Sequence, residues 1–480
     1  MSTLPTFAAG SGDSLHFLDG SVLLGTLHSI DPQHEVRWRH PSAKQLLEFT
    51  FTNLHQVHFG QERPATTNGP ATCRFRFANG DEVLGELITL DAETLELETW
   101  FAGRLRAPRH ALRAVAIMAG GHATLYEGPM SADGWKIGQN AATAGANRVM
   151  FGGGLINFDP VAFQAGRAAA PADAKPAATN SWIFRNGAFY ASAAGTLGRD
   201  FKLPPQSRLE FDLAWKGTPG LRFALYTDAL DTFDYSAGYQ FFLSSSYIYM
   251  MRRSAGAGGG MVSPSTSVRL PTMNQKNRLH LELRCNNEKG TIALFVDGAP
   301  VQEWKDSGAP LSGKGISFYS QRPDLAMRVS NLKITVWDGR NDEPLPAGGV
   351  AETTILLANG DRVTGTLGAI REGQMSLATL QAKLTVPLQR AVQIQLAGGG
   401  TNAAPIRAAG EVQVSLHGGE KVSLKLEKWE DGKAHGTSAV FGKIILNPQW
   451  VRQLLFNSDQ PRVAGDEFAF PGDWAYGTRD

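Results

Sequence analysis

An eleven-residue pattern occurs three times in the chain, as FLDGSVLLGTL at 17–27, FANGDEVLGEL at 77–87 and LANGDRVTGTL at 357–367. Each copy places Asp-Gly or Asn-Gly between alternating apolar runs. These dipeptides tolerate positive φ and are typical of two-residue type I′ hairpin turns. A second glycine follows five residues later, where a strand needs a bulge or space for another backbone. Each copy therefore predicts a β-hairpin in a small, curved sheet.

A fourth, weaker copy is LHGGEKVSLKL at 416–426, in which Gly418-Gly419 replaces Asn-Gly and Leu424 replaces the second glycine. Leu424 predicts a flatter strand there. Together with the segments that close each copy, the repeats predict four related units at 14–60, 73–118, 353–397 and 411–457. Their compactness and closing turn resemble SH3-like or Sm-like small barrels, which host many functions and imply no activity. We expect the two units at each end to pack as a pair, because a unit of about 45 residues buries little core.

The overall composition narrows the class of protein. Lys and Arg number 46 against 45 Asp and Glu, so no net field favours nucleic acid as a partner. Helix-length amphipathic runs are nearly absent, and 53 glycines indicate many short strands joined by turns, an all-β chain. Cys73 and Cys285 lack metal-ligand spacing and are expected to be two buried thiols. Residues 1–14 show no signal-peptide pattern, and no apolar window predicts a transmembrane segment.

The middle segment, 122–340, has strands with clean period-2 alternation. In RLEFDLAW, Leu209, Phe211 and Leu213 share one face, which predicts one strand of a two-sheet sandwich. The order of GAFYASAAGTLGRDFKLP, LEFDLAW, a hairpin at Asp297-Gly298 and VSNLKITVW resembles the concanavalin A-like jelly roll of laminin-G-type, lectin and glucanase domains. The resemblance implies a jelly roll with a tendency toward carbohydrate contact. The Ala/Pro-rich stretch at 165–180 is expected to be an exposed loop.

The sequence shows no complete pattern of catalytic residues. Glucanases of this fold carry E-x-D-x-x-E on one strand, since retaining hydrolysis needs two adjacent carboxyl groups. Glu210 and Asp212 supply the first half of that pattern, but Trp215 occupies the place of the second Glu. We therefore interpret these carboxylates as solvent-facing and predict no catalytic residue.

Binding candidates are more numerous. Aromatic residues of the middle segment could form a sugar-stacking surface, although strand aromatics are more often core; they are Tyr235, Tyr239, Tyr247, Tyr249 and Trp304. Calcium is an alternative ligand at Asp228, Asp231 and Asp234, but their spacing does not match an EF-hand loop, and a polar turn is favoured. No other cofactor is expected. His55 and His58 are interpreted as surface side chains of a closing turn.

The C-terminal tail, 458–480, offers a second kind of contact. Its aromatic residues are Phe468, Phe470, Trp474 and Tyr476. Together with sheet edges they suggest a homo-oligomer. The leading hypothesis is a non-catalytic, lectin-like protein of an exported bacterial type that binds polysaccharide or a cell surface outside the cytoplasm, in the periplasm, on the surface or in secreted form. The alternatives are a structural subunit of an extracellular homo-oligomeric assembly and a glycan-processing hydrolase.

Overall fold

The chain is all-β. The structure is a computed structural model that describes residues 12–19, 21–31, 35–61, 72–118, 123–139, 150–151, 154–155, 181–185, 187–191, 193–233, 237–244, 246–254, 261–262, 267–270, 273, 276–321, 326–340, 350–398 and 410–457. Within these ranges there is no α-helix, and every ladder between named strands is antiparallel. None of the described helices is long and apolar enough to cross a membrane.

Four units share one plan of four strands, a short 3-10 turn and a fifth strand. Unit 1 contains β1 Asp13–Phe17, β2 Val22–Ile30, β3 Glu35–Arg39, β4 Leu47–Thr50, the turn Phe51–Asn53 and β5 Leu54–His58. Unit 2 contains β6 Cys73–Phe77, β7 Glu82–Leu90, β8 Thr94–Thr99, β9 Gly103–Pro108, the turn Arg109–Ala111 and β10 Leu112–Ile117.

The two remaining units follow the middle segment of the chain. Unit 3 contains β29 Thr353–Leu357, β30 Arg362–Arg371, β31 Gln374–Ala378, β32 Lys383–Pro387, the turn Leu388–Arg390 and β33 Ala391–Gln395. Unit 4 contains β34 Val412–Leu416, β35 Lys421–Glu430, β36 Lys433–Ser438, β37 Gly442–Leu446, the turn Pro448–Trp450 and β38 Val451–Leu455.

The repeated pattern forms a hairpin, but not with the expected turn. Gly80 has φ 84°, while Asn79 does not adopt positive φ. The Gly80 N–H donates to the Phe77 carbonyl at 3.1 Å, and the Phe77 N–H donates to Asp81 at 2.9 Å. This is a three-residue loop with glycine alone in the left-handed region, so the type I′ prediction is wrong. Units 3 and 4 form the same pair of bonds.

The second glycine makes room for a neighbouring backbone, as predicted. A Cβ at Gly85 would lie 2.4 Å from the Glu98 carbonyl oxygen of the next strand. In unit 4, Leu424 replaces the second glycine, and the space for its side chain comes from the neighbouring strand, where Gly436 faces Leu424. Because β35 has its register shift at the same position as β2, β7 and β30, the prediction of a flatter strand there is wrong.

The units pair across the middle segment and not at each end. The last strands join unit 1 to unit 4, β5 to β38, and unit 2 to unit 3, β10 to β33. The ends of the long second strands repeat this choice, because Ile30 pairs with Trp429 and Leu90 pairs with Ile370. The buried apolar residues of all four units form one core. The expected pairing at each end is therefore wrong, and the middle segment is an insertion between units 2 and 3.

The inserted segment is a two-sheet sandwich. Its strands are β11 Thr124–Gly128, β12 Lys136–Gln139, β13 Met150–Phe151, β14 Gly154–Leu155, β15 Trp182–Arg185, β16 Ala188–Ala191, β17 Gly195–Asp200, β18 Gln206–Trp215, β19 Gly220–Thr227, β20 Gly238–Ser244, β21 Tyr247–Arg253, β22 Met261–Val262, β23 Val268–Arg269, β24 Arg278–Asn286, β25 Thr291–Val296, β26 Ala299–Lys305, β27 Gly315–Ser320 and β28 Met327–Val336.

One sheet has the order β15-β16-β28-β18-β24-β25-β26, with β11 also paired to β28; we name it the unit-facing sheet. The other has the order β12-β17-β27-β19-β20-β21-β22, with β23 paired to β21; we name it the opposite sheet. Alternate residues of both sheets fill the core between them. Cys73 and Cys285 are buried and form no disulfide, which confirms the sequence prediction.

Polar contacts attach the unit-facing sheet to unit 4. Arg452 donates to the buried carboxylate of Glu127 at 2.9 Å and to the Asn331 side-chain oxygen at 2.6 Å. The Lys333 ammonium reaches the Gly418 carbonyl at 3.4 Å. The sandwich therefore has one outer face against the units, and these contacts place that face's charged side chains near them.

Candidate functional site

A row of four side chains crosses adjacent strands on the outer face of the opposite sheet. Arg222 of β19 lies opposite Tyr319 of β27 and Phe242 of β20, and Phe242 lies opposite Tyr249 of β21. The residues that flank them along these strands, such as Phe223, point into the core. Because side chains of a strand alternate between faces, the four form one outward row, which we name the aromatic row.

The members of the aromatic row are held against one another. Phe242 and Tyr249 stack with ring centroids 4.7 Å apart and an interplanar angle of 3°. The Arg222 guanidinium lies 4.6 Å from the Phe242 centroid and 5.9 Å from that of Tyr319. The buried Phe233 ring stacks on Tyr319 at 5.3 Å and lies edge-on to Phe242 at 6.5 Å. Cation–π and stacking contacts of this kind hold a guanidinium in place without an opposite charge.

The row is accessible along part of its length. Arg222, Tyr249 and Tyr319 are half-buried, whereas Phe242 is buried. Burial raises the pKa of the Tyr249 hydroxyl, against a smaller lowering by Arg222, so that hydroxyl stays a donor at neutral pH. The surface combines aromatic carbon with a guanidinium and two phenol hydroxyls.

Two of the sequence-predicted stacking residues are in the core. Tyr239 and Trp304 are buried, with 0% and 2% of their surface exposed. The Tyr239 hydroxyl donates to the Asp306 carboxylate at 3.1 Å, and the Trp304 ring packs edge-on against Phe241. As packed, neither ring can stack on a ligand, which corrects the prediction for these two residues. Their strand alternation places them inward, and aromatic content alone did not indicate this.

Two other predicted residues are on the surface. Tyr249 belongs to the aromatic row, and Tyr247 is 44% exposed two residues earlier on the same face. Tyr235 lies outside the described residues. The sequence prediction missed Arg222, Phe242 and Tyr319. Alternation could have indicated Phe242. Its neighbour Phe241 points into the core, so the Phe242 ring must lie on the face that alternation assigns to solvent.

Two of the three predicted calcium ligands lie in the described part of the chain. Asp228 and Asp231 are exposed, and Asp234 lies outside the described residues. In the described ranges, no three His, Cys, Asp or Glu side chains form a group that could hold a metal ion. The Asp231 backbone packs on Gly138 instead, since a Cβ there would meet its carbonyl. Calcium stays an untested prediction.

The carboxylates considered for hydrolysis lie on the unit-facing sheet around one histidine. His280 Nδ1 is 2.7 Å from the Asp212 carboxylate, and Nε2 is 3.7 Å from that of Glu210. Arg208 also contacts Glu210 at 2.9 Å. Burial opposes the charge of His280, but the two carboxylates outweigh it and raise its pKa to about 10. His280 is therefore an imidazolium at neutral pH.

The pKa values of both carboxyl groups of this cluster are lowered by their partners. Burial acts to raise the pKa of Glu210, yet Arg208 and His280 hold it well below its usual range. The pKa of Asp212 is also lowered, because hydrogen bonds from His280 and Asn331 outweigh burial. A glycosidase acid needs a raised pKa. The geometry of Glu210 and Asp212 thus fits charge pairing.

The tail residues predicted to mediate self-association lie outside the described residues; they are Phe468, Phe470, Trp474 and Tyr476. The Ala/Pro-rich stretch at 165–180 lies outside them as well. Both predictions remain untested.

Comparison with known proteins gives no family. No family model matches the sequence, and no curated protein matches it. Among solved structures, sheep galectin-11 in complex with glycerol is 10% identical, covering 28% of this chain and 95% of that one, with a TM-score of 0.23. The VIP36 exoplasmic/lumenal domain in its Ca2+/Man3GlcNAc-bound form is 12% identical, covering 34% and 83%, with a TM-score of 0.27.

A third similar structure is a Bacillus subtilis protein of unknown function with a galectin-like fold. It is 15% identical, covers 45% of this chain and 97% of its own, and has a TM-score of 0.28. In all three cases the overlap covers less than half of this chain.

Proposed function

We propose that this chain is a non-catalytic carbohydrate-binding protein and that the aromatic row on the opposite sheet binds a glycan segment. The observation that carries the proposal is the arrangement of three rings and one guanidinium in one row, Tyr319–Arg222–Phe242–Tyr249. A sugar ring has apolar C–H faces and a rim of hydroxyls. Aromatic carbon accommodates the former, while the guanidinium and phenol groups hydrogen-bond the latter.

The dimensions of the row suit an oligosaccharide more than a single sugar. Four adjacent strands are separated by three spacings of about 4.8 Å, so the row spans roughly 14 Å. Its members are already packed against one another, and little side-chain entropy is lost when a ligand binds. We therefore expect contact with several consecutive sugar residues.

Binding without cleavage is supported by the charge cluster on the other face. Glu210 and Asp212 are both held ionised, and His280 between them is held protonated, so none of the three fits the acid and base roles of a hydrolase. With polysaccharide as ligand, we assign the protein to the periplasm, the cell surface or the extracellular medium.

The test is a panel of neutral polysaccharides, offered to the purified chain with and without calcium, with both retention and released sugars recorded. Wild-type chain is expected to be retained without products. Arg222→Gln and Tyr249→Leu should weaken binding of the retained glycan about tenfold each, since each removes about 1.4 kcal/mol of contact.

The matched control is Ile445→Ala, because Ile445 is 55% exposed in unit 4, outside the sandwich. This variant is expected to bind like the wild type. Released sugars would refute the non-catalytic proposal. Retention that is unaffected by both row variants would refute the assignment to the aromatic row.

A further inference from the structure

A groove of about 970 Å³ separates the unit-facing sheet from units 1 and 4. One wall is formed by side chains of β16, β18, β24 and β28, and the other by side chains of β1, β2, β5 and β38. Its volume is that of a site for a ligand of several rings. The aromatic row is on the other sheet, so the groove is a separate site.

The sandwich wall of the groove carries an excess of basic groups. Arg185, Lys276 and Arg278 are exposed along it, and the half-buried Arg328 lies 5.9 Å from the Tyr190 ring. A guanidinium carries five N–H donors, so it can serve a protein acceptor and a ligand together. This wall fits a ligand that bears negative charge.

The acidic groups of the same wall are already matched by cations. Asp297 accepts from the Lys276 ammonium at 2.9 Å. Asp212 is bound by the His280 imidazolium at 2.7 Å and by Asn331 at 2.6 Å. Their charges are balanced locally, and their oxygens can still accept from hydroxyl groups.

Unit 1 adds a neutral acceptor on the facing wall. His58 Nδ1 lies 3.2 Å from the Arg452 carbonyl, which can only accept, so Nδ1 donates and Nε2 is the acceptor. Burial, with Arg452 nearby, lowers the pKa of His58 to about 4, so the ring is neutral at pH 7. Nε2 borders the groove beside Gly187, where an added Cβ would be 3.4 Å away.

Leu24 and Leu455 line the same wall with apolar carbon, and Leu24 is 44% exposed. We propose that the groove binds a segment of acidic polysaccharide, a chain of sugars bearing carboxylate or sulfate groups. The basic side chains pair with the acidic groups, the aspartates and His58 accept from hydroxyls, and the leucines contact sugar C–H faces. An acidic peptide offers few such hydroxyls, and a nucleic acid would meet two aspartates without enough donors for them.

The test uses two charged polymers, each with a neutral partner of the same backbone type: polygalacturonate against its methyl ester, and carrageenan against agarose. The full chain is titrated with each by calorimetry at low and at 0.5 M salt. We expect the chain to bind at least one charged polymer, to bind its neutral partner at least tenfold more weakly, and to lose affinity at high salt.

Variants locate the site. The double variant Arg185→Gln with Arg278→Gln should weaken binding about tenfold, whereas Arg104→Gln, a 59% exposed arginine of unit 2, should have no effect. On the facing wall, Leu24→Glu should weaken binding by repulsion, while the neutral Leu24→Gln should retain most of it. Arg185, Arg278 and Leu24 are all exposed, so folding is expected to be preserved.

Several outcomes would overturn the proposal. These are no binding to either charged polymer, equal binding to the neutral partners, insensitivity to Leu24→Glu, or equally tight binding of poly-glutamate or free sulfate. The row variant Tyr249→Leu is expected to bind the charged polymer normally. Failure of the groove and failure of the aromatic row would therefore be distinguished.

Discussion

The two outer faces of the sandwich are built from the same kind of alternating strand and end with opposite chemistry. On the opposite sheet, outward positions of four adjacent strands carry Tyr319, Arg222, Phe242 and Tyr249, with one charge among them. On the unit-facing sheet, outward positions carry charges in pairs, such as Arg208 with Glu210 at 2.9 Å. The first face presents rings, and the second presents paired ions.

The difference follows from what covers each face. Contacts with unit 4 exclude water from the part of the unit-facing sheet outside the groove, and the charges buried there must then be paired. Glu127 shows this, since its buried carboxylate is matched by Arg452 of unit 4. The opposite sheet makes no such demand, and its half-buried rings stabilise one another.

Trp304→Ala should reduce the free energy of unfolding by about 4 kcal/mol, because it empties a large space in the sandwich core. Urea unfolding measures this. Tyr247→Ala, at an exposed position on the opposite sheet, is the control and should change stability by less than about 0.5 kcal/mol. If Trp304→Ala instead keeps its free energy of unfolding and loses glycan retention, Trp304 belongs to the binding surface and not to the core.

Glu127→Ala should cost about 3 kcal/mol, because it leaves Arg452 without its buried partner. The same substitution at Glu48, whose side chain is 57% exposed beside Arg37, should cost less than about 1 kcal/mol. If Glu127→Ala and Glu48→Ala reduce the free energy of unfolding equally in urea, the unit-facing sheet is more exposed to solvent than its contacts indicate.

Arg222→Gln and Arg278→Gln should act on different ligands. Arg222→Gln is expected to weaken binding of the neutral glycan about tenfold and to leave binding of the charged polymer unchanged. Arg278→Gln is expected to weaken binding of the charged polymer about threefold, as one half of the tenfold double variant, and to leave binding of the neutral glycan unchanged. The double variant should show the sum of the two effects, because distant sites are additive. Coupling between the two substitutions in titration calorimetry would contradict two separate surfaces.

His280 should make stability depend on pH in the alkaline range. Its pKa is raised from 6.5 to about 10 by Asp212 and Glu210, against burial. A raised pKa contributes stability that is complete below 6.5 and is lost as pH rises through 10. The advantage of wild type over His280→Gln, about 1 kcal/mol after screening by solvent, should therefore shrink between pH 7 and 10. A constant difference in unfolding free energy would contradict the charge cluster.

Much of the fold could be predicted from local sequence. Asn-Gly and the second glycine predicted the hairpins, and alternation predicted the sandwich strands. The choice of partner unit could not be predicted, because the four units offer nearly equivalent last strands. Only the strand pairing in the structure shows that Ile30 of unit 1 pairs with Trp429 of unit 4, on the other side of the inserted sandwich in the sequence.

The aromatic row was less predictable for a related reason. Phe242 and Tyr249 are joined by a short hairpin, but Tyr319 comes beside Arg222 through a strand far along the chain. Alternation tells which face a side chain occupies and does not tell which strands are neighbours. The groove was still harder to foresee, since its walls come from the sandwich and from two units at opposite ends of the sequence.

The central claim is that two separate surfaces bind two classes of glycan. The most direct measurement is a titration of the chain with the retained neutral glycan in the presence of a saturating concentration of the charged polymer that the chain binds. We expect the same affinity for the neutral glycan with and without the charged polymer. Displacement of one ligand by the other would contradict it.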